Sequence, residues 1–124
     1  SFPDCNYHGL ADGELLHTEG ATLRALLTPG HASDHACLFL EEEGALFTGD
    51  NWLGIGTSSF TDLGPYLASL KTMAALTPAA LYPAHGPVAV GEATSKSKLE
   101  ENIAHREKRI RQVEQAFHEK RQWA

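Results

Sequence analysis

Three strand-like runs in this chain break off at a proline or glycine, and each break carries a side chain that can bind a metal ion. Residues 22–27 stop at Thr28-Pro29-Gly30-His31, residues 45–48 stop at Gly49-Asp50, and residues 79–82 stop at Pro83-Ala84-His85-Gly86. Proline cannot donate to a strand ladder and glycine permits a sharp turn, so each run ends at these signals. A fold that sets these strand ends side by side in one sheet can deliver His31, Asp50 and His85 to a single edge. Singly, each has a plainer explanation. An Asp after Gly suits an Asx-turn or a helix cap, and His31 suits a turn histidine. Their joint placement at three strand-to-loop junctions favours a shared metal site. No closely spaced His-x-His pair occurs anywhere in the 124 residues, so these three side chains amount to half of such a site.

The rest of the chain alternates short apolar runs with two longer amphipathic ones, the pattern of a mixed α/β (α+β) domain. Residues 1–13 read as a loop ending at the Asp12-Gly13 turn, and residues 14–17 as a short strand. Strands are predicted at 22–27, 36–40, 45–48 and 79–82, with 41–44 as an acidic hairpin turn between the second and third of these. Residues 51–59, with Gly54 and Gly56, form a loop. A helix is predicted over 62–75, with Pro65 tolerated in its first turn and a stripe of Leu63, Leu67, Leu70 and Ala74. A long terminal helix is predicted over about 94–122. Its stripe of Leu99, Ile103, Ile110, Val113 and Phe117, with Arg106 on the same face, is expected to pack on the sheet. Coiled-coil pairing is the weaker reading, because Arg106 interrupts the seam.

Composition limits the class. A 124-residue chain that is 42% hydrophobic and 21% charged is ordinary for a small soluble domain. No apolar run approaches the ~20 residues that span a bilayer, and no signal peptide opens the chain. Beginning at Ser1, it reads as a processed or truncated piece. Cys5 and Cys37 lie far apart without Cys-x-x-Cys spacing, which suggests reduced thiols in an intracellular protein, cytoplasmic or mitochondrial. Charge is uneven. Residues 1–94 carry two basic and eleven acidic residues, net −9, and residues 95–124 carry eight basic and five acidic, net +3. The basic segment could touch phosphates. Its interspersed glutamates favour a solvated helix face with i,i+4 pairs.

Hydrolytic chemistry explains why these residue types matter. A catalytic metal site holds one or two divalent ions, keeps a coordination position open and lowers the pKa of bound water towards neutrality. Imidazole nitrogen and carboxylate oxygen both suit zinc, and one carboxylate can bridge two ions. Asp50 has no basic neighbour within several residues to neutralise it, which suits a bridging ligand.

Thr28-Pro-Gly-His31-Ala-Ser-Asp34-His35, Phe47-Thr-Gly-Asp50-Asn51 and Tyr82-Pro-Ala-His85-Gly-Pro87 together resemble the C-terminal ligand motifs of the metallo-β-lactamase superfamily. The segments 18–24 and 53–57, with His105-Arg106, are similar to one branch of it, which contains the animal β-lactamase-like endoribonuclease and the fungal lactamase-like thioesterases of aromatic polyketide synthesis. The likeness runs from Gly13 to about Phe117. It implies that the chain is the C-terminal half of an αββα sandwich. By family pattern, His31 completes one zinc site, Asp50 bridges two zinc ions and His85 binds the second. Asp34 and His35 are then expected to orient His31 rather than to bind metal. Ala84 replaces a glycine of many relatives. The family's His-x-His-x-Asp-His ligands are expected from the N-terminal half of the same domain. His105 and Arg106 either face the cleft or serve the helix, while His8, His17 and His118 read as surface residues.

The resemblance implies a zinc-dependent hydrolase acting on a small ester or thioester, or on single-stranded RNA. A non-catalytic or truncated remnant that binds a partner is the alternative. The acidic balance of residues 1–94 weighs against RNA.

Overall fold

The computed structural model describes residues 9–122. The expected loop before residue 9, with Cys5 and His8, lies outside the described residues. Among the described residues, six strands form one sheet in the order β1-β2-β3-β4-β5-β6, made of β1 (Leu15–Thr18), β2 (Ala21–Leu27), β3 (Ala36–Leu40), β4 (Ala45–Gly49), β5 (Ala80–Pro83) and β6 (Ala89–Val90). Helix α1 (Leu63–Ala75) lies between β4 and β5, and α2 (Glu92–Gln122) closes the described chain. The architecture is α+β. Neighbouring strands run antiparallel except β4 and β5, which are parallel. A parallel pair needs a crossover, and α1 supplies it.

The two helices cover one face of the sheet. Leu26, Cys37, Leu46, Leu81 and Ala89 point from alternate strand positions into a core completed by Trp52, Tyr66, Leu70, Met73 and Leu99. Leu46, Leu70, Met73, Leu81 and Leu99 have no exposed surface. Burying each such side chain stabilises the fold by about 1.5–3 kcal/mol. On the opposite face, Leu27, Phe47, Tyr82 and Val90 remain substantially exposed, and the Phe47 and Tyr82 rings stack 5.3 Å apart across the β4–β5 pair.

Two stripes differ from expectation. Helix α1 buries Tyr66, Ser69, Leu70 and Met73, while Leu63 and Ala74 lie only at the margin of the core. The inward face is thus turned towards Tyr66, whose hydroxyl finds a buried partner in the Asn51 carbonyl at 2.7 Å. In α2 the predicted stripe packs only in its first half. Leu99 is buried and Ile103 touches the core, but Val113 and Phe117 are 56% and 69% exposed. Length explains this. A 31-residue helix reaches about 46 Å and the 13-residue α1 only about 20 Å, so the end of α2 outruns its support. Charge pairs such as Lys96–Glu100 occupy its solvent side, and His17 and His118 are exposed. Among the described residues, no helix is long and apolar enough to cross a membrane.

Candidate metal centre

Strand direction determines where the site falls. Because β2 and β4 each run antiparallel to β3, and β5 runs parallel to β4, the C-terminal ends of β2, β4 and β5 all open on the same edge. His31, Asp50 and His85 follow those three ends. They meet there. The Asp50 Oδ2 lies 3.8 Å from His31 Nε2, and its Oδ1 lies 3.4 Å from His85 Nε2. One carboxylate therefore stands between two imidazoles and offers a separate oxygen to each. Their side chains are 34% (His31), 39% (Asp50) and 69% (His85) exposed, so the edge is open to solvent. Among the described residues, no three His, Cys, Asp or Glu side chains gather closely enough to hold an ion alone.

Each ligand candidate is held from behind. The His31 backbone N–H donates to Asn51 Oδ1 at 3.1 Å, and Asn51 Nδ2 donates to the Thr28 carbonyl at 2.7 Å. Asn51 is fully buried and ties the turn after β2 to the turn after β4. The ring of His31 donates from Nδ1 to the Ser59 carbonyl at 3.0 Å. A carbonyl can only accept, so this bond places the proton on Nδ1 and leaves the Nε2 lone pair facing Asp50. The Ser58 hydroxyl donates to the Asp50 carbonyl, which anchors the 51–60 loop beneath the site.

His35 takes a different place from the one expected. Its hydrogen bonds run to Thr28 and Asp50 rather than to His31, because the turn after β2 pairs the Thr28 N–H with the His35 carbonyl at 3.0 Å and sets the two residues side by side. His35 Nε2 accepts from the Asp50 N–H at 3.3 Å, which leaves Nδ1 to donate to Thr28 Oγ1 at 3.0 Å. Burial pushes the His35 pKa below its ordinary value and favours this neutral, accepting form. Gly49 makes the contact possible. Its φ is +55°, and a Cβ there would sit 2.7 Å from His35 Nε2. Asp34 is exposed.

Thr28 passes its own proton to Cys37 Sγ at 3.2 Å. Burial raises the Cys37 thiol to about 11, so few molecules carry the reactive thiolate near neutrality. In a Cys5→Ser background, Cys37 should resist iodoacetamide at pH 8 while the chain is folded and react fully in denaturant, as read by mass spectrometry. Equal rates in the two states would show that the thiol is not enclosed.

Sequence reasoning missed most of this support. Asn51 enters only as the last residue of the Phe47–Asn51 motif, without a role, and Ser58, Ser59 and Tyr66 belong to no local pattern. Arg106 gave one signal, a charge set in an apolar stripe. Its guanidinium donates to the Ser58 carbonyl and lies 5.1 Å over the Phe60 ring and 5.4 Å over that of Tyr66.

A family profile described as the metallo-beta-lactamase superfamily matches residues 6–85. The chain belongs to the metallo-β-lactamase superfamily. Its relatives include the lactamase-like protein adaB of Aspergillus niger, 52% identical over 111 residues, a match covering 90% of this chain and 34% of that protein. The lactamase-like protein nscB of Neosartorya fischeri is 50% identical over 113 residues, with 91% and 34% covered. The chain thus spans about a third of the length of these relatives. Among solved structures, the metallo-β-lactamase family protein TTHA1429 of Thermus thermophilus is 35% identical, with a TM-score of 0.71 over 90% of this chain and 38% of that one. A β-lactamase domain protein of Burkholderia ambifaria, 25% identical, has a TM-score of 0.80 over 94% of this chain and 38% of its own. The six-stranded sheet with its two helices is therefore a portion of the metallo-β-lactamase fold, a hydrolase-type fold whose members typically bind metal ions.

Proposed function

We propose that this chain supplies the C-terminal ligands of a dinuclear zinc hydrolase. One observation carries the reading: the Asp50 carboxylate stands between two imidazoles and faces each with a different oxygen. The donor chemistry fits zinc, since two neutral nitrogens and a bridging carboxylate are borderline and hard ligands of the kind it takes. The Nδ1 bond of His31 leaves the correct nitrogen free for an ion. His31 would hold one ion, His85 the other, and Asp50 both. When bound, the ions would supply Lewis acidity and acidify water for attack on an ester-like bond.

Three ligands divided between two ions leave each short of the usual complement. The remainder is assigned to an N-terminal half bearing His-x-His-x-Asp-His. Coverage of only a third of the relatives supports such a half. So does the sheet face opposite α1 and α2, where Leu27, Phe47, Tyr82 and Val90 offer an apolar surface for a second sheet. A small ester or thioester is the favoured substrate, because the net −9 of residues 1–94 would repel a polyanion.

The test assays the chain alone and the chain joined to such an N-terminal half, on an aryl thioester and on single-stranded RNA, with added zinc or manganese. Turnover of the thioester by the joined protein only is the expected result. Zinc-dependent turnover by the chain alone, lost in His31→Ala, would overturn the divided site. RNA cleavage in place of thioester hydrolysis would overturn the substrate assignment.

A further inference from the structure

Arg106 lies on α2, 48 positions from the Ser58 carbonyl to which it donates. The guanidinium stacks over Phe60 and Tyr66, whose rings stack on each other at 5.7 Å, so it sits at the junction of α1, α2 and the 51–60 loop. Ser58 is 5% exposed, and its single hydroxyl proton goes to the Asp50 carbonyl, with the Ser59 carbonyl 3.0 Å from the same hydroxyl oxygen. That same Ser59 carbonyl accepts the His31 Nδ1 proton at 3.0 Å. A continuous set of hydrogen bonds therefore runs from α2 through two adjacent loop residues to His31 and to the backbone of Asp50. It does not reach His85, whose loop is held instead by the Gly54 N–H on the His85 carbonyl at 2.9 Å.

We propose that Arg106 is a positioning residue for the metal centre: by fixing the Ser58-Ser59 backbone it holds His31 in the tautomer that leaves Nε2 free. The chemistry favours Arg over Lys at this point. A planar guanidinium can donate in its plane to a carbonyl while its faces lie over aromatic rings, whereas an ammonium on a flexible stem gives up the stacking. With Arg106 removed, the carbonyl of Ser58 loses a charge-assisted bond and the loop loses the cation that spans Phe60 and Tyr66. The Ser59 carbonyl then drifts from Nδ1, and the other tautomer of His31, with its proton on Nε2, becomes accessible.

The inference rests on the proposed metal reading, and two separate readouts keep them apart. Imidazole nitrogen shifts in ¹⁵N-histidine-labelled chain report the tautomers of His31 and His85 without metal, and zinc titration of the same variants joined to an N-terminal half bearing His-x-His-x-Asp-His reports binding. In the wild type, His31 should be the Nδ1–H form, and its Nε2 signal should move with zinc. In Arg106→Lys and Arg106→Gln, His31 should become a mixture of tautomers and bind zinc about tenfold more weakly, while the His85 tautomer stays unchanged. Arg109→Ala, three positions further along the helix and bonded to Gln112 at 3.3 Å, should behave as wild type. Folded Arg106 variants with an unaltered His31 tautomer would overturn the positioning role. A change at His31 and His85 alike would mean general loosening and overturn it too. Arg106-dependent tautomer change without any zinc response at His31 in the wild type would sink the metal reading and leave the positioning of the imidazole standing.

Discussion

Asp50→Ala, in a protein carrying both halves of the domain, is expected to lower kcat/KM by at least ~10³-fold, more than about 10²–10³ for loss of a single oxyanion donor. The reason is geometric. Both oxygens of this carboxylate are engaged, one towards each imidazole, so its loss would weaken two metal positions together. It would also leave two histidines facing one another with no anion between them. Asp50→Asn keeps the shape and removes the charge, and should be nearly as damaging because an amide is a poor bridge between cations. Asp34→Ala should change activity less than about threefold, since Asp34 is exposed and the Asp50 backbone donates to His35 and accepts from Ser58. Metal analysis of the purified variants should show zinc lost from Asp50→Ala and retained in Asp34→Ala. Asp50→Ala retaining a tenth of wild-type activity would place the hydrolytic centre elsewhere.

How much of this was legible beforehand follows from the range of the interactions. Strand and helix spans came through because their signals are local: residues 36–40 carry β3 as expected, and the ends of the other predicted strands and of both helices fall within two residues of those observed. Strand β6 was not anticipated, since two residues after Pro87 carry no period. His31, Asp50 and His85 stood out because glycine and proline mark the strand ends before them. Their supports did not, because Ser59 reaches His31 across 28 residues, Tyr66 reaches Asn51 across 15 and Arg106 reaches Ser58 across 48. Only folding brings such partners together. His35 shows the same limit in a subtler form. The resemblance implied that it would orient His31, yet the turn geometry aims it at Thr28 and Asp50.

Gly54→Ala should be among the most damaging single changes to the fold, although Gly54 has no positive φ. A Cβ there would lie 1.9 Å from the Pro87 carbonyl oxygen and 2.6 Å from the Pro87 nitrogen, both backbone atoms that no rotamer change can move. The 51–60 loop would have to lift off residues 85–87 and give up the Gly54 N–H bond to the His85 carbonyl at 2.9 Å. Steric displacement of this kind costs about 1–3 kcal/mol, and the lost hydrogen bond adds about 1 kcal/mol. The melting temperature should therefore fall by roughly 10 °C or more. Gly56 supplies the control. It has φ +69° but nothing within 4 Å of a built Cβ, so Gly56→Ala bears only the left-handed backbone penalty of about 1–2 kcal/mol. The two variants separate crowding from backbone strain. Gly54→Ala should also displace His85, so its imidazole should lose zinc-induced shifts in the labelled protein carrying both halves while the His31 tautomer persists, because the Ser59 carbonyl that fixes it lies on the far side of the loop's sequence. If Gly54→Ala proves no more destabilising than Gly56→Ala, the close crossing of these two loops is not what holds His85 beside Asp50.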